Sequence, residues 1–253
     1  MKKLIGIIFA LLSAVFVLPV FATVFLSFYS EGTLTLQEYK DLLFDCFVFY
    51  PMFWNSVLYA AAITLAQLVV IIPCAFGFSQ AKFKGKGVLF VFYIVLMMMP
   101  LQVTILPNYI GLRDMGLINT PWGIILPMIF SPFGVVVMHQ YMKNTDTSVI
   151  EATRLETSSI FRVIITSVIP QLKVCIFAVV LFVFADCWNM VEQPMLFLTD
   201  DSLKTLSVFI SNAQSYTGAV LFPAAVIFLM PVLFLYLFFS DSLEKGLTLG
   251  ELS

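Results

Sequence analysis

The chain reads as long apolar blocks separated by shorter polar ones. Apolar runs lie near residues 4–28, 53–78, 88–106, 122–141, 174–198 and 218–239. Each is about the length of roughly 20 residues that a helix needs to cross a bilayer. The runs are continuously apolar and do not alternate, so helices are expected and a membrane β-barrel is not. The pattern predicts an all-α polytopic membrane protein with six transmembrane helices, forming a single domain over residues 1–253. Pro73, Pro100, Pro127, Pro194, Pro223 and Pro231 fall within or at the edges of these runs. Membrane helices tolerate such kinks where neighbours satisfy the freed carbonyls. A secretory leader competes for the first run, because Lys2 and Lys3 precede it and Val20-Phe21-Ala22 offers a cleavage-like site. Continuation through Thr23-Val24-Phe25-Leu26 favours a span.

Composition narrows the class. The chain is 61% hydrophobic and 11% charged, which excludes an ordinary soluble domain. The net charge of −2 says little about partners, whereas its distribution says more. With the amino terminus in the cytoplasm, Lys2, Lys3, Lys82, Lys84, Lys86, Lys143, Arg154, Arg162, Lys173 and Lys245 fall inside. Only Lys40, Arg113 and Lys204 fall outside. Basic residues concentrate on the cytoplasmic side of membrane proteins, so both termini are expected in the cytoplasm.

The longest polar interruption on the basic side is residues 143–173. Ser148-Val149-Ile150-Glu151 has the form of a capping box, so a helix is predicted from Ser148 towards Ile160. Helical spacing would put Glu151, Arg154 and Ser158 along one face, with Ala152, Leu155 and Ser159 beside them. A short amphipathic helix between two spans can dock into a groove of another protein or lie on the membrane surface. The residues alone leave both open.

Glu151-Ala152-Thr153, then Thr157, then Val168-Ile169-Pro170 resemble the EAA loop of binding-protein-dependent ABC importers. Asn55-Ser56, Lys82–Lys86, Met99–Val103, Gly116–Thr120, Trp122–Pro127, Trp188-Asn189 and the tail Lys245–Gly250 extend the likeness. Together they resemble the smaller permease of the maltose-type carbohydrate importers, a type I ABC importer fold. That resemblance makes 143–173 a cytoplasmic coupling loop seated in an ATPase, with Ser148, Glu151, Ala152, Arg154, Leu155, Thr157 and Ser158 as coupling residues. It implies a second related permease, two ATPase subunits that bind ATP and Mg, and an external substrate-binding protein. Thr157 stands where the family pattern has glycine. A retained left-handed turn would strain this β-branched residue.

Little else in the chain suggests chemistry. No Gly-rich phosphate loop with a lysine is present, so ATP, and the enzymatic step, belong to a partner; no cofactor, metal or nucleic acid is expected on this chain. Cys46, Cys74, Cys175 and Cys187 form no C-x-x-C pair and read as packing residues. His139 reads as an interfacial polar residue. Asp186, Asn189, Glu192 and Gln193 stand apart, because polar groups within a span are costly against lipid. Asp186, Asn189 and Gln193 share a helical face, which would line a substrate pathway or pair with a sister subunit. The polar stretches 29–50 and 199–217 are candidates to meet an external binding protein.

The leading expectation is a permease subunit importing a sugar or oligosaccharide. The alternatives are a non-transporting ABC-associated membrane subunit and an ion-coupled carrier using Asp186 and Glu192.

Overall fold

The structure is a computed structural model and describes residues 2–30, 32–212 and 220–250. Helix α1 spans Lys2–Leu26 and runs past Ala22 without a break. A two-stranded antiparallel hairpin follows, β1 Tyr29–Ser30 with β2 Thr33–Leu34, then α2 Gln37–Lys40 and a π-helical turn at Asp41–Asp45. Helix α3 then runs 32 residues, Phe49–Gln80. Its end is built locally: Ala81 turns extended, Gly85 adopts φ 84°, and the Lys86 ammonium donates to the Ser79 and Ala81 carbonyls at 3.0 and 3.1 Å. A cation is well placed against the unpaired carbonyls at a helix C-terminus.

Three of the expected spans, those near 88–106, 122–141 and 174–198, are not continuous helices. The run at 88–106 divides into α4 Lys86–Met97 and α5 Leu101–Asp114, which meet at 95°. Pro100 lies at the break, where it fixes its own φ at −67° and cannot donate an N–H. The run at 174–198 divides into α11 Lys173–Trp188 and α12 Glu192–Phe197. Between α5 and α11 lie α6 Pro121–Met128, α7 Pro132–Lys143, α8 Ser148–Glu156, α9 Ile160–Val163, a π-helical stretch Ile164–Val168 and α10 Ile169–Gln171. The segment from Ile160 to Gln171 meets α11 at 85°. Beyond α12 come a 3₁₀ turn at Asp201–Leu203, α13 Leu206–Ser211 and α14 Leu221–Gly250. The expected start of the last span at 218–219 lies outside the described residues.

By length and composition, Phe49–Gln80, Pro121–Lys143 and Leu221–Ser240 can each cross a membrane alone. The two bent pairs reach that length only as pairs, which gives up to five candidates among the described residues. The described apolar part of α1, Leu11–Leu26, is shorter.

The core forms where α3, α7 and α11 cross. Cys175, Val179, Val183 and Cys187 recur every four residues and bury one face of α11. They pack with Ile63, Ile71 and Ala75 of α3 and with Val135 and Met138 of α7. Gly134 sits at the tightest point, where an added Cβ would come within 2.4 Å of the Ile71 side chain. Small residues let membrane helices approach closely, and packing rather than water release then holds them together. Opposite faces stay exposed and apolar, as at Leu58, Leu65 and Val69 of α3. Such surface suits lipid.

Trp188 anchors α14 to this core. It is buried, its indole N–H donates to the Phe228 carbonyl at 2.9 Å, and its ring lies between Phe184 and Phe228.

Candidate functional site

Two groups of predicted residues are placed by this fold. Helix α8 begins at Ser148 as expected, but the capping box does not form. Asp146 supplies the acceptors instead: one carboxylate oxygen takes the Ser148 N–H at 2.9 Å and the other takes its hydroxyl at 2.8 Å. A carboxylate two residues upstream forms this turn more tightly than the Ser148 hydroxyl could, because the acceptor is charged. These bonds, the backbone one first, hold the Asp146 carboxyl below its ordinary value of 3.8.

The helix stops at Glu156, earlier than predicted, so Ser158 and Ser159 do not continue its faces. Ser159 instead caps α9, accepting the Arg162 N–H at 3.4 Å. Thr157 is extended, with φ −146° and ψ 139°, and the left-handed turn expected from the family glycine is absent. A β-branched residue is at ease in this conformation, and its hydroxyl accepts the Ser159 N–H at 3.3 Å.

Glu151, Ala152, Arg154 and Leu155 are exposed, while Ile150 turns into the core. Leu155 is 91% exposed. The Arg154 guanidinium lies 5.5 Å from the centre of the Phe76 ring on α3, a cation–π contact that ties α8 to the long helix. Thr153 and Ser167 share a hydroxyl–hydroxyl hydrogen bond. A cavity of about 330 Å³ under α8 brings together Arg154, Thr157 and Ser158 with Phe76.

The second group surrounds the break after α11. Asn189 ends that helix, its amide donating to the Ala185 carbonyl at 2.7 Å, and α12 restarts at Glu192. The uninterrupted helical face expected for Asp186, Asn189 and Gln193 is therefore not present. The break nevertheless gathers them: Asp186, Asn189, Glu192 and Gln193 line one cavity of about 410 Å³, together with Leu101 and Met128. The Met190 carbonyl, freed at the break, accepts a hydrogen bond from the Ser207 hydroxyl.

Asp186 also lines a second cavity of about 270 Å³, shared with Gln67, Ser131, Phe133, Phe182 and Val183. Gln67 and Ser131 are not among the residues that the hydropathy pattern singles out. A glutamine in the middle of an apolar span was the available signal, because amides avoid lipid as carboxylates do. Gln67 donates to the Met128 carbonyl. That carbonyl lacks its helical partner because the residue four positions on is Pro132, which carries no N–H.

Several polar residues that carried the resemblance serve as clamps on the segment after α12. The Asn55 amide donates to the carbonyls of Ser202 and Lys204 at 2.7 and 3.1 Å, and the Tyr59 hydroxyl donates to that of Leu203 at 3.1 Å. The Ser56 hydroxyl accepts the buried Leu206 N–H at 2.7 Å. Asn119, at φ 59°, donates its N–H to the Phe197 carbonyl and accepts from Thr199 and Asp200. The stretch 199–212 is therefore tied to α3 and to Asn119, with Thr205–Phe209 buried and 199–202 exposed. Its expected remainder, 213–217, lies outside the described residues.

Among the described residues, no cluster of three or more His, Cys, Asp or Glu could hold a metal ion. All four cysteines are free thiols.

Known proteins share this architecture. A bacterial ABC transporter involved in import of the acidic polysaccharide alginate superposes with a TM-score of 0.79 over 95% of this chain and 96% of that one, at 19% identity. The arabinooligosaccharides transport system permease protein AraQ of Bacillus subtilis (strain 168) is 26% identical over 220 residues, 86% of this chain and 78% of that protein. The trehalose/maltose transport system permease protein MalG of Thermococcus litoralis is 25% identical, covering 100% of this chain and 97% of that protein. The sn-glycerol-3-phosphate transport system permease protein UgpE of Brucella abortus (strain 2308) is 23% identical, covering 79% and 73%. Residues 68–249, most of the chain including α8 and Asp186, match the model of the binding-protein-dependent transport system inner membrane components, and the chain belongs to that family.

Proposed function

We propose that this chain is one of two related permease subunits of an ABC importer for a sugar or oligosaccharide. Its partners would be the sister permease, two ATPase subunits carrying ATP and Mg, and an external binding protein. It would lie in a bacterial cytoplasmic membrane with both termini inside. The basic loops at 82–86 and 143–173 support that orientation, and the names of AraQ and MalG support the substrate class.

The observation that carries the reading is α8. A nine-residue helix presents Leu155 outward at 91% exposure and is fastened to α3 by Arg154. An exposed apolar residue on a helix held this way suits a groove in a partner. ATP-driven closure of the ATPases would then move α8. Through Phe76 the motion reaches α3, which also carries Gln67 on a wall shared with Asp186. The cavities around Asp186 would change access from one membrane face to the other.

The test is Leu155→Asp in the co-expressed complex, with uptake of labelled arabinotriose, maltose and trehalose measured beside ATPase co-purification. Burying an unpaired charge in the groove should reduce both by at least about tenfold. Undiminished ATPase association would overturn the coupling role of α8.

A further inference from the structure

We infer that Gln67, Ser131 and Asp186, together with Phe133 and Phe182, form a subsite for a neutral hydroxylated ring, and that this subsite disfavours anions. The inference rests on the transport reading above and adds the residues and substrate charge class.

Gln67 is only 4% exposed, and its two amide atoms have different fates. The nitrogen is committed to the Met128 carbonyl, while the oxygen is buried without a partner. A buried acceptor left unpaired is costly, and the cost is removed when a ligand donates to it. The Ser131 hydroxyl lies on the same cavity and makes no cap for α7. The Asp186 carboxylate completes three oxygens around about 270 Å³. Phe133 and Phe182 line the same cavity, with ring centres 6.1 Å apart.

The lining thus pairs aromatic faces with hydrogen-bond acceptors. A sugar ring has the matching duality, with apolar C–H faces and an edge of O–H donors. The volume is just under the range of roughly 300–1,000 Å³ of small-molecule pockets, which suits a single ring. Asp186 is also a wall of the adjoining 410 Å³ cavity, where Glu192 adds a second carboxylate. Neither cavity is lined by Lys, Arg or His. A phosphate or carboxylate entering here meets like charge with no cation to offset it.

The test uses the assembled complex with Val183→Cys as a reporter, a position on the same cavity outside both the acceptor set and the aromatic pair, its alkylation by N-ethylmaleimide followed by peptide mass spectrometry. Maltose, trehalose and arabinotriose are the neutral probes, and sn-glycerol 3-phosphate is the anionic one. At least one neutral sugar should slow alkylation, and the phosphate should not. Adding Ser131→Ala or Gln67→Met should raise the half-protecting sugar concentration about tenfold, the loss of one hydrogen bond. Gln67→Met also removes the Met128 contact, so Ser131→Ala, which leaves it intact, decides if the former fails to assemble. Unchanged protection in Ser131→Ala would overturn the acceptor set, and equal protection by the phosphate would overturn the charge preference. No protection in a complex that imports one of the sugars would overturn the subsite and leave the transport reading standing. Protection without import would do the reverse, and the absence of both would overturn both.

Discussion

Thr157 shows how much one backbone angle decides. At φ −146° it carries no left-handed strain, so glycine has nothing to relieve. Thr157→Gly would instead add unfolded-chain freedom worth about 0.5–1 kcal/mol and remove the acceptor for the Ser159 N–H. We expect a lower melting temperature of the purified complex and weaker coupling of ATPase activity to transport; a raised melting temperature would show that the turn is left-handed in the assembled state. Asn119 is the opposite case, because it does sit at positive φ. Asparagine tolerates that region through its short polar side chain. Asn119→Gly would keep the conformation and lose only the bonds to Thr199 and Asp200. Asn119→Ala would lose the same bonds and add about 1–2 kcal/mol of left-handed strain. Thermal unfolding should rank wild type above Asn119→Gly and Asn119→Gly above Asn119→Ala; equal stability of the two variants would remove the strain argument.

At the scale of elements, the crossing of α3, α7 and α11 sets the position of everything else. Gly134 lets α7 approach the side-chain tip of the buried Ile71. Gly134→Ala would need only the tip of Ile71 to shift, whereas Gly134→Leu would overpack the crossing, typically by about 1–3 kcal/mol or more. The leucine variant should lose assembled complex on detergent extraction while the alanine variant largely keeps it; an intact leucine variant would mean the helices stand further apart. The same crossing explains why Gln67 and Asp186 share a wall. They lie 119 positions apart on different helices, and only packing brings α3 and α11 together.

At the scale of the molecule, the contacts sort the loops into two ends. Asn55 with Ser202, Phe49 with Phe209 and Asn119 with Phe197 gather the segments around 49–55, 119 and 197–209 at one end. Arg154 with Phe76 and His139 with Phe90 gather 76–90, 139 and 154 at the other. Arg113 and Lys204 belong to the first end, and Lys82, Lys84, Lys86 and Lys143 to the second. The basic asymmetry read from sequence is therefore also a spatial one, which makes a single orientation in the membrane self-consistent. Cysteine substitutions at Ser30 and Ser211 should react with an impermeant maleimide on intact cells, and those at Lys84 and Thr147 should not. Reaction at Thr147 from outside would reverse the orientation.

The sequence by itself determined the class, the helical content, the approximate apolar segments, the start of α8 and the polar character of residues 186–193. These follow from local quantities: hydropathy, charge and the meaning of a carboxylate among apolar neighbours. Tertiary structure decided where the helices break, because a proline such as Pro100 can kink, end or leave a helix almost straight depending on what satisfies the freed groups around it. It also decided that Asp146 rather than Ser148 caps α8, a choice between two nearby acceptors whose distances differ only once the turn is formed. Above all, it placed Gln67 and Ser131 beside Asp186. No spacing rule links residues on three different helices, and their common cavity exists only because α3, α7 and α11 pack at Gly134.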